Sequence, residues 1–259
     1  MRNPLAMSTF RFKHFEVRNE RSAMKVNTDG VLLGAATEVF PTDRHVLDIG
    51  TGTGTVALMI AQRMASVCLE DWNIQGIDID PPSATEASEN FGNSPWGSHL
   101  EAMNMGLRDF SMKSMDEKYD LIVSNPPYYD NSLQAPSARR NAARHTGDPE
   151  NPQGSEPLSY REILEYASVA LTDQGRLSVI LPSDQEKHLL RYARMCGMLP
   201  WRLLRIKTVE RKSVSRLIVQ FKRREAMAGT SVKEETLTLL NEGGKRTSQH
   251  ASLITDYYL

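Results

Sequence analysis

The chain has 259 residues, of which 40% are hydrophobic and 24% are charged. This composition is typical of globular proteins, and the length is sufficient for a large core. The formal net charge is -1 at pH 7, which excludes an overall field that would draw the chain to nucleic acid. Any such affinity must therefore come from a local cluster of basic residues.

Cys68 and Cys196 are too few for a disulfide framework or a thiolate metal site. No histidines are paired as metal ligands, so we expect no metal. No apolar run reaches the roughly 20 residues that span a bilayer, and the first residues lack the apolar core of a signal peptide. We therefore expect a cytoplasmic protein.

The first 44 residues predict a small unit ahead of the main sheet. Residues 1–7 show no pattern and are expected to be a loose end. Apolar and polar residues alternate between Phe10 and Val26, which predicts a β-hairpin with its turn at Asn19-Glu20-Arg21-Ser22. Asn27-Thr28-Asp29-Gly30 resembles a helix start, so residues 8–44 are predicted to form a hairpin and a helix.

From residue 45 onward, short apolar runs alternate with helical patterns, which indicates parallel βαβ units in a doubly wound α/β sheet. Residues 131–157 interrupt this order with Pro, Ser, Asn, Gly and Asp, and long loops inside domains are usually functional or disordered. We expect this loop on the substrate side of a single domain that spans residues 1–259. The predicted strands are His45–Ile49, Asn73–Asp80, His99–Met103, Tyr119–Ser124, Arg176–Leu181, Trp201–Val209 and Val214–Phe221, with a further candidate at Thr236–Leu240.

A glycine-rich turn, Gly50-Thr51-Gly52-Thr53-Gly54, follows the first of these strands and leads into a helix. Glycines at such a turn let the backbone approach a nucleotide closely. The spacing differs from the dinucleotide fingerprint, because Thr55 stands at the third glycine position. Asp48 precedes the turn, and its carboxylate would repel pyrophosphate but attract an ammonium group. The sequence thus argues against NAD and for a ligand with a positive end.

The next strand ends at Asp78-Ile79-Asp80. A carboxylate at Asp78 can accept both hydroxyls of a ribose, and Ile79 offers an apolar face to a purine. Either acid could instead cap the following helix, and we favour that interpretation for Asp80, which directly precedes Pro81-Pro82.

The apolar strand Tyr119–Ser124 ends in Asn125-Pro126-Pro127-Tyr128. Two prolines cannot continue a parallel ladder, because they lack the N–H donor and fix φ. The turn therefore presents an amide, two rigid carbonyls and a phenol at the carboxyl edge of the sheet, where α/β folds bind ligands. Taken alone, a simple proline turn explains the pattern about as well.

The glycine turn, Asp78 and the Asn-Pro-Pro-Tyr turn, in this order, resemble the class I S-adenosylmethionine-dependent amino-methyltransferases. Segments 10–13 and 24–34, Arg144-His145-Thr146 and the Tyr258-Leu259 ending are similar to bacterial enzymes that methylate N6 of the adenine next to the valine tRNA anticodon. The resemblance implies a Rossmann-like, seven-stranded, mostly parallel sheet with its last strand antiparallel and helices on both faces. It also implies S-adenosylmethionine as cofactor and tRNA as substrate.

The resemblance further assigns roles to individual residues. Gly50 and Gly52 would flank the methionine moiety, Asp78 would hold the ribose, and residues 28–29 match the segment that closes over the cofactor. The class often holds the cofactor adenine with an acid where Gly106 stands here, so this contact is expected from the backbone of Leu107, with Asp109 nearby. The expected cofactor-binding residues are Thr28, Asp29, Asp48, Gly50, Gly52, Asp78, Ile79, Leu107 and Asn125.

An exocyclic amine conjugated to a purine is a weak nucleophile, because its lone pair is delocalised into the ring. By the same resemblance, the Asn125 amide and the Pro126 carbonyl would accept its hydrogens and orient the lone pair toward the methyl donor. Tyr128 would stack on the base after it leaves its helical stack. The predicted catalytic residues are Asn125, Pro126, Pro127 and Tyr128.

Basic residues are concentrated between residues 202 and 224, where strand alternation could place several on one RNA-contacting face. Basic residues also protect an exposed sheet edge from aggregation, and the two interpretations carry equal weight. The candidates are Arg202, Arg205, Lys207, Arg211, Lys212, Arg216, Lys222, Arg223 and Arg224, with Arg139, Arg140, Arg144 and His145 as a second patch. The predicted substrate-binding residues are Tyr128, Arg144, His145, Lys207, Arg211 and Lys212.

Other acceptors share this catalytic turn. Release-factor glutamine methyltransferases carry the same motif, but they have a helical N-terminal domain where this sequence predicts a hairpin. Methylation of rRNA guanine or DNA adenine remains open, because the turn selects the amine and not the polymer. A binding module without catalysis would require a degraded Asn125 motif, and the motif here is intact.

Overall fold

The computed structural model describes residues 9–68, 71–127 and 158–258. Helices and strands alternate as predicted. The strands of the main sheet are β3 (His45–Ile49), β4 (Asn73–Asp78), β5 (Leu100–Asn104), β6 (Tyr119–Ser124), β7 (Leu171–Pro182), β8 (Met198–Val209), β9 (Arg216–Arg223) and β10 (Lys233–Leu240). The helices are α1 (Thr28–Ala36), α2 (Thr55–Val67), α3 (Pro81–Gly92), α4 (Leu107–Lys113), α5 (Tyr160–Ala170), α6 (Glu186–Met195) and α7 (Ser248–Ile254). None of the described helices is long and apolar enough to cross a membrane.

The main sheet has the strand order β10-β8-β9-β7-β6-β3-β4-β5. Within the described residues, β9 is the strand that runs against the others, since it pairs antiparallel with both β7 and β8. The prediction of an antiparallel last strand is therefore confirmed for the first seven strands of the sheet, β3 to β9, because β9 is the last of these. The expected count of seven is wrong by one, because β10 adds to β8 in parallel and covers what would otherwise be an open edge.

The sheet carries helices on both faces, as predicted. Successive strand residues point to opposite faces, so Val46 belongs to one hydrophobic cluster and Leu47 to the other. The first cluster lies against α1, α2, α3 and α7, and the second against α4, α5 and α6. This arrangement leaves the carboxyl edge of β3, β4, β5 and β6 open to ligands.

The predicted N-terminal hairpin consists of β1 (Thr9–Arg11) and β2 (Glu16–Arg18). Its turn lies at Phe12–Phe15, where the N–H of Phe12 donates to the carbonyl of Phe15 at 2.9 Å and the two rings stack at 4.4 Å. The predicted turn at residues 19–22 is wrong, because the N–H groups of residues 20, 21 and 22 donate to a side chain of α3.

The hairpin also contacts the end of the chain. The N–H of Lys13 donates to the carbonyl of Tyr257 at 2.9 Å, and its ammonium donates to the carbonyl of Thr255 at 2.6 Å. Tyr257 is buried and donates its hydroxyl to the Met59 carbonyl in α2. The ring of Tyr258 packs beside Phe10 and Phe12.

Candidate active site

The glycine turn between β3 and α2 requires its glycines for conformational reasons. Gly50, Gly52 and Gly54 have φ values of 73°, 57° and 80°, which side chains rarely tolerate. A Cβ on Gly54 would lie 2.4 Å from the Phe91 ring. A glycine is therefore needed at position 54, one residue before the third glycine of the dinucleotide fingerprint, so that the start of α2 can pack against α3. The N–H groups of Gly50 and Thr51 donate to the Ile77 carbonyl at 2.8 and 3.0 Å, which fixes the turn on β4.

Asp48 lies directly beneath this turn. Its side chain is buried, and its carboxylate accepts a hydrogen bond from the Thr51 hydroxyl at 2.8 Å. Burial raises the pKa of Asp48 to about 7, because desolvation disfavours the ionised form more than the Thr51 hydrogen bond stabilises it. The hydrogen bond between Asp48 and the Thr51 hydroxyl stabilises the conformation of the glycine turn.

Asp78 joins the glycine turn to the end of β4. One carboxylate oxygen accepts from the N–H of Gly52 at 2.8 Å, and the other accepts from the N–H of Asp80 at 2.9 Å. Burial raises its pKa, and the two backbone donors act against that shift. Each oxygen keeps an unused lone pair for a ligand hydroxyl.

Asp80 takes the capping role that the sequence favoured for it. It is the N-cap of α3, and its carboxylate accepts from the backbone N–H of Ser83 at 3.1 Å and from the Ser83 hydroxyl at 2.6 Å. Asp78 is therefore left to face the glycine turn.

The turn that the sequence predicts to be catalytic, of which Asn125-Pro126-Pro127 are described, follows β6, the neighbour of β3 in the sheet. The Ser124 hydroxyl donates to the Ile49 carbonyl at 2.7 Å, which ties the end of β6 to the start of the glycine turn. Pro126 is buried, while Asn125 and Pro127 are partly exposed. The Asn125 amide lies 3.7 Å from the Met24 sulfur, a weak acceptor. The structure thus brings Asn125 and the glycine turn to the same edge of the sheet.

Residues 18–24, which we name the strap, run along α3 toward the glycine turn. Glu86 of α3 is fully buried and accepts from the backbone N–H groups of residues 20, 21 and 22 at 2.7 to 2.9 Å. Asn90, one turn further along, bonds both backbone groups of Arg18 and the carbonyl of Thr53. The strap is therefore fixed to α3 and to the glycine turn together.

The end of the strap covers the glycine turn. A Cβ built on Gly52 would lie 3.6 Å from the Ser22 hydroxyl and 3.7 Å from the Met24 carbonyl. The Ser22 hydroxyl oxygen in turn lies 3.0 Å from the Ser83 hydroxyl oxygen. The sequence interpretation missed this strap, although Ser83, Glu86 and Asn90 are polar residues at helical spacing on one buried face of α3.

The predicted closing residues Thr28 and Asp29 form the first turn of α1, which Asn27 caps by accepting from the Gly30 N–H at 2.9 Å. Gly30 lies close to Asn125, because a Cβ built on Gly30 would lie 3.9 Å from the Asn125 amide nitrogen. The start of α1 therefore lies beside the catalytic turn.

A cavity of about 420 Å³ opens at the ends of β4 and β5, on the far side of Asp78 from Asn125. Ile79 is 54% exposed there, and Gly106 is close enough that a Cβ on it would lie 3.1 Å from the Ile79 side chain. Leu107 begins α4 and is buried. The lining residues are Ile79, Asn104, Met105, Gly106, Asp109, Met112 and Lys113.

The basic residues of the last third divide between two edges of the sheet. Lys207, Arg211, Lys212 and Arg216 lie at the end of β8, in the following turn or at the start of β9, on the same edge as Asn125. Lys222, Arg223 and Arg224 lie at the opposite edge of the sheet.

Six of these nine residues form ion pairs, among them Lys207 with Glu210 and Arg211 with Glu242. Arg202 is nearly buried and pairs with Glu38 and Glu235, and Arg205 pairs with Glu186 and Glu234. Arg211 and Lys212 are exposed. Tyr128, Arg139, Arg140, Arg144 and His145 lie outside the described residues. Across the described ranges, no group of His, Cys, Asp and Glu side chains could hold a metal ion.

Known proteins resemble the chain at two levels. A family model for a methyltransferase small domain matches residues 29–155. The solved structure of a predicted O-methyltransferase from Agrobacterium tumefaciens is similar with a TM-score of 0.61 and 14% identity, covering 88% of this chain and 96% of the other. That identity supports the methyltransferase fold alone.

Closer sequence relatives extend along nearly the whole chain. A tRNA1(Val) (adenine(37)-N6)-methyltransferase of Bacteroides fragilis is 38% identical, covering 96% of this chain and 97% of the relative. One from Trichodesmium erythraeum is 34% identical with the same two coverages. On this full-length similarity, the chain belongs to the family of tRNA1(Val) (adenine(37)-N6)-methyltransferases.

Proposed function

We propose that the protein transfers a methyl group from S-adenosylmethionine to the exocyclic N6 amine of an adenine in tRNA, the adenine next to the anticodon of valine tRNA. The observation that carries the proposal is the position of Asn125-Pro126-Pro127 beside the glycine turn, at one edge of the sheet. The relatives named above supply the choice of tRNA and of adenine 37. Because tRNA is the substrate, the proposal places the protein in the cytoplasm.

The residues at this edge fit S-adenosylmethionine. Gly50 and Gly52 leave open backbone where side chains would fill the space, and Asp78 has acceptor capacity for ribose hydroxyls. Ile79 and the cavity beside it can take the adenine, and Leu107 directly follows Gly106 of the cavity lining. When bound, S-adenosylmethionine supplies an electrophilic methyl group.

Three other residues would complete the cofactor site. Thr28 and Asp29 would close over the methionine end from the first turn of α1. Asp48 lies beneath the glycine turn, and the cofactor's ammonium group would favour its ionised form by charge attraction.

The chemistry assigned to the chain is orientation of the target amine. The Asn125 side-chain oxygen and the Pro126 carbonyl would accept the two N6 hydrogens, so that the nitrogen lone pair faces the methyl donor. Pro126 and Pro127 fix φ and keep these acceptors in place. Tyr128 would stack on the base. No strongly basic side chain is needed, because the proton can leave after methyl transfer.

For the RNA, we propose that Lys207, Arg211 and Lys212 contact phosphates at the carboxyl edge of the sheet. Arg211 and Lys212 are exposed there, and exposed basic side chains release counterions from RNA on binding. Arg144 and His145 would contribute from residues 131–157.

The test is methyl transfer from labelled cofactor to purified tRNA, rRNA, DNA and release factor in parallel reactions. We expect label in tRNA, recovered as N6-methyladenine, and in valine tRNA when single species are compared. Asn125→Ala should reduce the rate by about 100-fold or more, as removal of one preorganised partner typically does, with cofactor affinity nearly unchanged. Labelling of release factor or rRNA without tRNA would refute the proposal.

A further inference from the structure

An ion pair links the start of α1 to the strand that follows the exposed basic turn. The Nε of Arg216 donates to the Asp29 carboxylate at 2.8 Å. The arginine side chain is 35% exposed and the aspartate side chain 21%. The pair is therefore shielded enough from water to hold a defined geometry.

The backbone at Arg216 is held by the strands on both sides. It is the first residue of β9 and lies opposite Pro182 of β7 and Ile206 of β8. The preceding residue, Ser215, accepts from the N–H of Ser183 at 3.2 Å and donates its own N–H to Ile206 at 2.8 Å. Both neighbouring strands thus fix the backbone from which the guanidinium extends.

The planar guanidinium of Arg216 donates hydrogen bonds in two fixed directions, which a lysine ammonium group does not do. While Nε donates to Asp29, Nη1 donates to the carbonyl of Ser215 at 3.0 Å. The planar fork therefore holds the carboxylate in one direction relative to the strand, whereas an ammonium group would act as a point charge on a flexible stem.

On its other side, the first turn of α1 meets the catalytic turn. Gly30 follows Asp29 directly, and a Cβ at Gly30 would lie 3.9 Å from the Asn125 amide nitrogen and 3.7 Å from Val56 of α2. The turn is therefore packed between Arg216 and Asn125. A shift of Asp29 would open space beside the Asn125 amide.

We propose that Arg216 is a positioning residue for methyl transfer and not one of the RNA-binding cations. By holding Asp29, it keeps the first turn of α1 against Asn125, so that the amide stays aimed at the target amine. This inference rests on the proposed function, and it removes Arg216 from the set of basic residues that the sequence offered for RNA contact.

The experiment is a double-mutant cycle on methyl transfer to tRNA, with Arg216→Ala, Asp29→Asn and the double variant. Rates are measured in single turnover at saturating tRNA and cofactor, and tRNA affinity is measured separately over a range of salt concentrations. Arg223→Ala is the matched control, because Arg223 forms an ion pair with Asp173 at the opposite end of the same strand. Thermal unfolding of all variants monitors folding.

Each single variant should lower the saturated rate by roughly tenfold to a hundredfold, the range for small misplacement of a catalytic group. The double variant should be no slower than the slower single variant, tRNA affinity and its salt dependence should be unchanged, and Arg216→Lys should restore only part of the rate. Arg223→Ala should keep the wild-type rate even if it lowers the melting temperature equally.

Three results would overturn the inference. Weaker tRNA binding with a reduced salt dependence in Arg216→Ala would make Arg216 a phosphate contact. Additive losses would show that the two side chains act independently, and equal losses in Arg223→Ala would reveal a general effect on stability. Failure of the proposed function itself would look different, since the wild-type protein would then transfer no methyl group to tRNA.

Discussion

Asp78 holds the glycine turn and the start of α3 with the same carboxylate that we assign to the ribose. Replacing it by alanine removes the acceptor for both the Gly52 N–H and the ligand hydroxyls. We expect Asp78→Ala to weaken S-adenosylmethionine binding by about 10- to 100-fold, the value of one or two hydrogen bonds to a charged group. Isothermal titration calorimetry measures the affinity.

The same variant should slow turnover much less once cofactor is saturating, because Asp78 does not reach the target amine in this proposal. Asp80→Ala is the comparison, since it removes a helix cap two residues away. If calorimetry gave the wild-type affinity for Asp78→Ala, the ribose role would have to be abandoned.

Asp48 makes stability depend on pH. Its pKa is raised from 3.8 to about 7 in the folded state, so folding favours the protonated form. The stabilisation by that proton is complete below about pH 4 and is lost as pH rises to about 7. Each pKa unit corresponds to about 1.4 kcal/mol, so the total is a few kcal/mol.

We therefore expect Asp48→Asn, which stays neutral and can still accept from Thr51, to gain stability relative to the wild type as pH rises from 4 to 7. Urea unfolding at pH 4.5 and pH 8 checks the sign. A difference between the two proteins that does not vary with pH would mean that Asp48 ionises freely in the folded state.

At the scale of the elements, the position of the strap depends on helix α3. Glu86→Gln replaces an oxygen that accepts backbone N–H groups with an NH₂ group that faces them. We expect the free energy of unfolding to fall by about 1 to 3 kcal/mol, and cofactor affinity to fall because Ser22 and Met24 would no longer be held over Gly52. Chemical denaturation and calorimetry measure the two effects.

Glu89→Gln on the same helix is the control. Glu89 pairs with Arg18 and Arg21 at the surface, where ion pairs contribute little, so its loss should leave cofactor affinity unchanged. Equal effects of the two variants would mean that the strap is held by charge in general and not by the buried acceptor.

The strap also marks the limit of what the sequence could predict about the elements. Strands such as Tyr119–Ser124 are predictable because burial on both faces leaves a continuous apolar run that ends at prolines. Residues 19–22 show turn composition, yet their donors are satisfied by Glu86, more than 60 positions away. No local pattern encodes a partner at that distance.

At the scale of the whole molecule, the basic residues of the last third of the chain are divided between the two edges of the main sheet. Arg211 and Lys212 are at the edge where Asn125 lies, and Arg224 is at the other. We expect the double variant Arg211→Ala, Lys212→Ala to bind tRNA more weakly and to reduce the slope of log affinity against log salt by about 1 to 2. Filter binding at several salt concentrations measures this slope.

Arg224→Ala removes one positive charge at the opposite edge, so its slope should match that of the wild type. A reduced slope in that variant would indicate that RNA wraps around to the far edge, and the proposed binding face would have to be enlarged.

The edge of the sheet at which each basic residue lies does not follow from alternation alone. Alternation predicts which side of a strand a residue occupies, but the edge depends on strand direction, and β9 is reversed relative to its neighbours. Asn125, Asp78 and the glycines were predictable because each follows a parallel strand, whose end must lie at the ligand edge. Arg216 lies at that edge only because β9 runs the other way.

The contact between the hairpin and Tyr257 sets an order of events during synthesis. Phe10 and Phe12 are made early, but Tyr258, beside which they pack, comes after every described strand of the main sheet. While a ribosome makes the protein from its N-terminus, the main sheet can form before the hairpin has its final neighbours. The hairpin therefore gains these contacts only after all the strands of the main sheet that the structure describes have been made.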